Sequence, residues 1–196
     1  MKKIAITGGI GSGKSLAVEC IRELGYSAFS CDEIYRELLF DKEYISKIKA
    51  LFPSACKGEN LNRAELGRII FEDKNARARL NSISHPLIMK RLFAYMDKCD
   101  ETLVFAEVPL LFEGGFQLLF DAILVITRPL SERVQAICER DTATQELALK
   151  KIQAQFDYDA PAAKEIIKQC GGIILQNNGN KEELFEKLKK TIKYLL

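Results

Sequence analysis

The chain reads as an α/β protein: a mostly parallel, doubly wound sheet with helices on both faces and two long helical insertions. Three observations predict it. Short apolar runs of β type recur along the 196 residues, each bounded by glycine, proline or charge. Segments with apolar residues at helical spacing separate them, so successive strands are joined by crossovers and lie parallel. A glycine-rich turn falls between the first strand and the first helix, at the sheet edge where open α/β folds bind ligands.

Ile4-Ala5-Ile6-Thr7 is a short buried strand, and behind the glycine-rich turn Ala17, Val18, Ile21 and Leu24 repeat at helical spacing as far as Gly25. Ser27-Ala28-Phe29-Ser30 predicts a second strand, ending at Cys31-Asp32-Glu33. From there to about Tyr95 the pattern is helical and charged, with faces marked by Ile34 and Leu38, Ile45 and Ile48, Leu66 and Ile69, then Ile88 and Leu92. Turn signals at Phe52-Pro53-Ser54, Lys57-Gly58-Glu59-Asn60 and His85-Pro86 divide those helices. The β pattern returns at Leu103-Val104-Phe105-Ala106 and at Ala122-Ile123-Leu124-Val125-Ile126. Ser131 to Lys168 is again helical, Ile173-Ile174-Leu175 is the last strand, and Leu184, Phe185, Leu188, Ile192 and Leu195 stripe a closing helix.

Composition sets the class of partner. With 47% hydrophobic and 29% charged residues, the chain has enough apolar material for one substantial core, which excludes intrinsic disorder. A net charge of +2 gives no general pull toward nucleic acid or an anionic membrane, so any phosphate must be held by local geometry. Six cysteines are scattered singly without a CxxC pair, which suits unpaired thiols in a reducing compartment. The apolar run behind Met1-Lys2-Lys3 is too short for a secretory signal, and no stretch is long enough to span a bilayer. A cytoplasmic protein is expected, with no obligate protein partner implied.

Gly8-Gly9-Ile10-Gly11-Ser12-Gly13-Lys14-Ser15 matches GxxxxGK[ST] in its proper context, after a strand and opening a helix. Such a loop turns its main-chain N–H groups inward as a nest for phosphate oxygens, at the positive end of a helix dipole. Lys14 adds a full charge for the β and γ phosphates, and the Ser15 hydroxyl is the expected Mg²⁺ ligand. A dinucleotide fingerprint fails on glycine spacing: GxGxxG begun at Gly9 puts Lys14 at the third glycine, and begun at Gly11 it puts Leu16 there.

A regulatory GTPase is excluded in turn. No Asp is followed three residues later by Gly, and Asn180-Lys181-Glu182-Glu183 has Glu where a guanine-reading motif needs Asp; Asn as cap with Glu in the first turn is ordinary there. What is left is a small kinase or an ATPase. A kinase must orient an acceptor, take its proton, offset charge on the transferring group and exclude water. Asp32, at the end of the second strand, is the candidate base for an acceptor hydroxyl, with an N-cap role as the alternative.

The ordered motifs resemble those of the dephospho-CoA kinases. The resemblance is carried by Thr7 to Ser15, Asp32-Glu33-Ile34 with Arg36, Leu61-Asn62-Arg63 with Leu66 and Phe71, His85-Pro86 with Ile88, and Pro109-Leu110-Leu111-Phe112-Glu113 after the third strand. It implies a P-loop NTPase-type fold and transfer of the ATP γ-phosphate to the ribose 3′-hydroxyl of dephospho-coenzyme A, with ATP and Mg²⁺ required. It implies a nucleotide-binding core of residues 1–32, 99–135 and 166–196, a helical coenzyme-side domain of 33–98 and a lid of 136–165. By position, Gly8 to Leu16 bind the nucleotide and Asp32 is the catalytic carboxylate. Lys14 and Arg140 meet the transferred charge, the latter at the lid hinge. Arg63, His85 and Pro109 to Glu113 belong to the acceptor side. A nucleoside or nucleotide kinase of the same fold is the alternative, and a nucleotide-dependent interaction protein the third reading.

Four positions depart from that family's pattern. Leu16 stands where Thr usually follows Lys-Ser, and Ser30 takes the first place of a common Asp-x-Asp, leaving Asp32 alone. Glu107 replaces an Asp before Val108-Pro109, and Ala136 replaces the first of two arginines four apart, with Arg133 as a possible substitute.

Overall fold

A computed structural model describes residues 1–58 and 60–196. In chain order the elements are β1 (Lys2–Thr7), α1 (Lys14–Glu23), β2 (Ala28–Ser30), α2 (Cys31–Leu38), α3 (Lys42–Leu51), β3 (Cys56–Lys57), β4 (Asn60–Leu61), α4 (Arg63–Glu72) and α5 (Lys74–Met96). They continue with β5 (Leu103–Glu107), β6 (Ala122–Thr127), α6 (Leu130–Asp141), α7 (Gln145–Gln153), α8 (Pro161–Gln169), β7 (Gly172–Gln176) and α9 (Lys181–Leu195). Contacts divide the chain into two compact units, Met1–Phe29 with Lys98–Leu196, and Ser30–Asp97. Residues 136–165 lie within the first unit.

The first unit is built on a five-stranded parallel sheet in the order β2-β5-β1-β6-β7. Its central strands are buried along their length: Ile4 to Ile6, Leu103 to Ala106 and Ile123 to Ile126 have no exposed surface. That is why they read as continuous apolar runs instead of alternating ones. α1 and α9 lay Ala17, Val18 and Ile21, and Leu184, Leu188 and Ile192, into the same core. Asn180 caps α9 by accepting the Glu183 N–H at 3.0 Å, so the near miss to a guanine motif is a helix start. The register sets Ile6 beside Glu107, Thr7 beside Val125 and Thr127 beside Gln176. Because the strands are parallel, their carboxyl ends and the loops that follow share one edge.

The second unit is helical, with one antiparallel pair, β3 and β4, in register Cys56 to Leu61 and Lys57 to Asn60. This pair brackets the expected turn at 57–60, of which Glu59 is outside the described residues. Tyr44, Ile48, Phe52, Leu66, Ala76 and Leu80 form its core. The expected break at His85-Pro86 is absent: α5 runs unbroken through Pro86. Proline removes one helical donor, but Leu80, Ser84, Met89 and Leu92 stay buried on either side of it. Ser84 also donates back to the Leu80 carbonyl at 2.8 Å and is hydrogen-bonded to the Tyr44 hydroxyl at 2.6 Å. Packing along the helix outweighs one missing hydrogen bond. Among the described residues no helix is long and apolar enough to cross a membrane.

Candidate active site

The phosphate-loop residues meet at the carboxyl edge of the sheet, between the end of β1 and the start of α1. At Gly8 and Gly13, among the loop's glycines, geometry excludes any side chain. Gly8 has φ +146° and a methyl there would strike the Ile126 carbonyl oxygen; Gly13, the residue capping α1, has φ +94° and a methyl there would strike the Asn177 amide. Within the loop the Ser12 N–H donates to the Gly9 carbonyl at 3.1 Å, and the Lys14 ammonium folds back onto the carbonyls of Gly8 and Gly9 at 2.9 and 3.2 Å. The Ser12 side chain is fully buried and its hydroxyl makes no hydrogen bond to protein. A buried polar atom of this kind, inside a glycine cradle, fits a phosphate oxygen as its partner.

Four side chains from distant parts of the chain hold this loop, and the sequence reading singled out none of them for that role. Arg133 on α6 donates its Nε–H to the Ile10 carbonyl at 3.0 Å, and its guanidinium lies against Gly9. Gln155 accepts the Ile10 N–H at 2.7 Å, Asn177 donates to the Ser12 carbonyl at 2.9 Å, and the Tyr158 hydroxyl is hydrogen-bonded to Thr7 Oγ1 at 2.9 Å. Burial lowers the pKa of Arg133, opposed by the carboxylates of Asp159, 3.9 Å away, and Asp157. An arginine stays charged under such a shift. Burial pushes Tyr158 up to about 12, so its hydroxyl is neutral at physiological pH.

Pro109 to Glu113 follow β5. Leu111 is fully buried, while Phe112 stacks on Phe156 at 4.9 Å between centroids and meets Tyr158 edge-on at 6.0 Å. Glu113 accepts the Phe156 N–H at 2.9 Å. This segment therefore braces the 155–158 stretch that carries Gln155 and Tyr158 to the loop. Glu107, buried, ends β5 beside Ile6. Leu16 packs on the core cluster behind α1. Arg140, near the end of α6, is exposed and forks onto Asp141 at 2.7 and 3.2 Å, holding with Lys151 the Asp141 carboxyl below its usual range. At the ends of β6 and β7 a cavity of about 330 Å³ is lined by Thr127, Arg128, Pro129, Asp159 and Asn178.

Asp32, Arg63 and His85 fall in the helical unit, on α2, α4 and α5. Asp32 does not cap its helix: α2 starts at Cys31, and Ser30 is the cap, accepting the Asp32 N–H at 3.3 Å. The carboxylate is thus not committed to the helix start. Arg63 places its guanidinium 4.9 Å from the centre of the Phe40 ring. His85 is half-buried, and burial lowers its pKa.

A phosphate loop clamped at the carboxyl edge of this sheet is common to many kinases, and comparison with known proteins separates them. A family model, that of dephospho-CoA kinase (CoaE), matches residues 2–183. The chain belongs to the dephospho-CoA kinase family. It is accordingly an ATP-dependent kinase of P-loop fold, as the resemblance implied. The dephospho-CoA kinase of Fusobacterium nucleatum is 32% identical over 189 residues, covering 95% of each chain. That of Thermus thermophilus is 32% identical, over 96% of this chain and 89% of its own. Among solved structures, TT1252 from Thermus thermophilus superposes with a TM-score of 0.83 at 33% identity, covering 100% of this chain and 98% of that one. Dephospho-CoA kinase from Campylobacter jejuni gives 0.68 at 26% identity, covering 98% and 96%. A shikimate kinase from Acinetobacter baumannii, at 0.58 and 14% identity, shares the fold alone, covering 99% of this chain and 94% of its own.

Proposed function

We propose that the chain transfers the γ-phosphoryl group of ATP to the 3′-hydroxyl of the ribose of dephospho-coenzyme A. The observation that carries this reading is the clamped loop, Gly8 to Ser15, in a chain that the family model matches over residues 2–183. The loop's N–H groups and the start of α1 take β- and γ-phosphate oxygens, and Lys14 exchanges the carbonyls of Gly8 and Gly9 for them. Holding Ile10 and Ser12 from outside means the cradle needs no reorganisation as charge develops. We assign the purine of ATP to the cavity beside Pro129 and Asn178.

Asp32 accepts the proton of the 3′-hydroxyl as its oxygen bonds to the γ-phosphorus and the bond to the β-phosphate oxygen breaks, releasing ADP. Arg140 exchanges Asp141 for the transferring charge. Arg63 and His85 bind the acceptor, and Pro109, Leu110, Phe112 and Glu113 wall its site, with the fully buried Leu111 packed behind them. Mg²⁺ fits the residues present. Ser15 is exposed in the first turn of α1, Glu107 ends β5, and among the described residues no cluster of three acidic, His or Cys ligands exists. That donor set suits a cation bound mainly through substrate phosphates and water. Ser15, with Glu107 acting through water, would hold Mg²⁺, and the ion would offset the charge on the phosphate oxygens during transfer. We also propose the cytoplasm as the compartment, with six free cysteines as support.

The test is a coupled assay for ADP release with a panel of acceptors. Turnover that depends on dephospho-CoA supports the reading; turnover only with nucleoside monophosphates assigns a different acceptor.

A further inference from the structure

Within the helical unit a cavity of about 470 Å³ opens between α3 and the start of α4. Its lining includes Lys42, Ser46 and Lys49 of α3, Arg63 of α4, and the apolar side chains of Phe40 and Leu61. Positions 42, 46 and 49 are spaced i, i+4, i+7, so they share one face of α3. The other face buries Tyr44 and Ile48 in the core. The two lysines are therefore presented together by the same helix that anchors the unit.

Three cations line this cavity and, among the described residues, no carboxylate does. The acids nearest in sequence are committed elsewhere. Asp41 caps α3 through the N–H groups of Glu43 and Tyr44 and pairs with Arg91 at 2.9 Å. Glu43 pairs with Lys47 at 2.7 Å, and Glu65 with Arg68 at 2.8 Å. Phe40 is 76% exposed, an aromatic face held open to solvent with the Arg63 guanidinium over it. A ligand matching these walls carries at least two negative charges next to an apolar or planar part.

We infer that this cavity binds the 5′-diphosphate of the acceptor and the start of its pantetheine arm. Lys42, Lys49 and Arg63 engage the phosphate oxygens, and Phe40 and Leu61 pack against the arm. The inference rests on dephospho-CoA being the acceptor, and it adds Lys42 and Lys49 as residues that select an acceptor bearing a diphosphate.

The experiment compares wild type, the double variant Lys42→Ala/Lys49→Ala and the double variant Lys42→Arg/Lys49→Arg, each checked by circular dichroism and thermal melting. Both positions are exposed, so folding is retained. With dephospho-CoA, the alanine pair raises KM about tenfold while KM for ATP is unchanged, and the arginine pair returns KM to within about threefold of wild type. With adenosine as acceptor, which lacks the diphosphate, the alanine pair changes nothing. An unchanged KM for dephospho-CoA in the folded alanine pair overturns the inference and leaves the proposed function standing. Equal losses with adenosine and dephospho-CoA overturn it too. A wild type that fails to turn over dephospho-CoA overturns the acceptor assignment and this inference with it.

Discussion

Arg133 holds the phosphate loop by the carbonyl of Ile10, donating its Nε–H across 3.0 Å, and its guanidinium fills the space that a side chain on Gly9 would need. A charged group buried to 5% exposure is here part of the loop's outer wall. With the carbonyls of Ile10 and Ser12 and the N–H of Ile10 held from outside, the loop's path is fixed by side chains beyond it.

Arg133→Ala removes a charge-assisted hydrogen bond and leaves a void beside Gly9. The expected cost is about 2 kcal/mol, or about 6 °C in the melting midpoint for a chain of this size, and a higher KM for ATP. Lysine does not restore it, because a single ammonium cannot reproduce the planar fork. Thermal melts and an ATP titration of both variants check this.

Gly13→Ala combines a left-handed backbone with a collision against the Asn177 amide that holds Ser12. ATP binding by calorimetry should fall below detection. Adding Asn177→Ala relieves the collision but keeps the backbone strain of about 1 kcal/mol, so the double variant regains part of the affinity. A double variant no better than Gly13→Ala shows that the collision does not matter.

The loop itself is legible because its signal is local, the four fixed positions Gly8, Gly13, Lys14 and Ser15 inside eight residues. Its clamps were not: Arg133, Gln155, Tyr158 and Asn177 lie more than 120 residues along the chain from their partners, and only the sheet order brings them there. Asn177 lies just past the last predicted strand with no motif around it, and Arg133 stands out only as a possible substitute for the arginine that Ala136 replaces. Pro86 misled for the opposite reason, a strong local breaker overruled by burial on both sides of it. Ser30 as the cap of α2 was readable in principle, since Ser30 and Glu33 have the S-x-x-E spacing of a capping box.

Asp32→Asn should lower kcat by about 10² to 10⁴, the usual worth of a general base, with the KM for ATP unchanged. Lys14→Ala should weaken ATP binding and kcat together. Steady-state kinetics on both variants separate a proton acceptor from a phosphate ligand; a raised KM for ATP in Asp32→Asn assigns the carboxylate to the metal instead.

His85 gives a pH dependence of stability. Burial lowers its folded pKa below the ordinary 6.5, so between the two values the unfolded chain binds more protons than the folded one. Its contribution is full above the unfolded value and is lost as the pH falls through the lowered folded value. Melting midpoints of wild type and His85→Gln, compared from pH 7.5 down to about 5, should converge or cross as the pH falls. A constant difference contradicts the assignment.

The most direct measurement is phosphorus NMR of the product made from ATP and dephospho-CoA. The account predicts one new monoester phosphate on the ribose 3′ position, formed in equal amount with ADP and absent with Lys14→Ala. ADP released without that monoester, or a phosphate attached at another position, contradicts it.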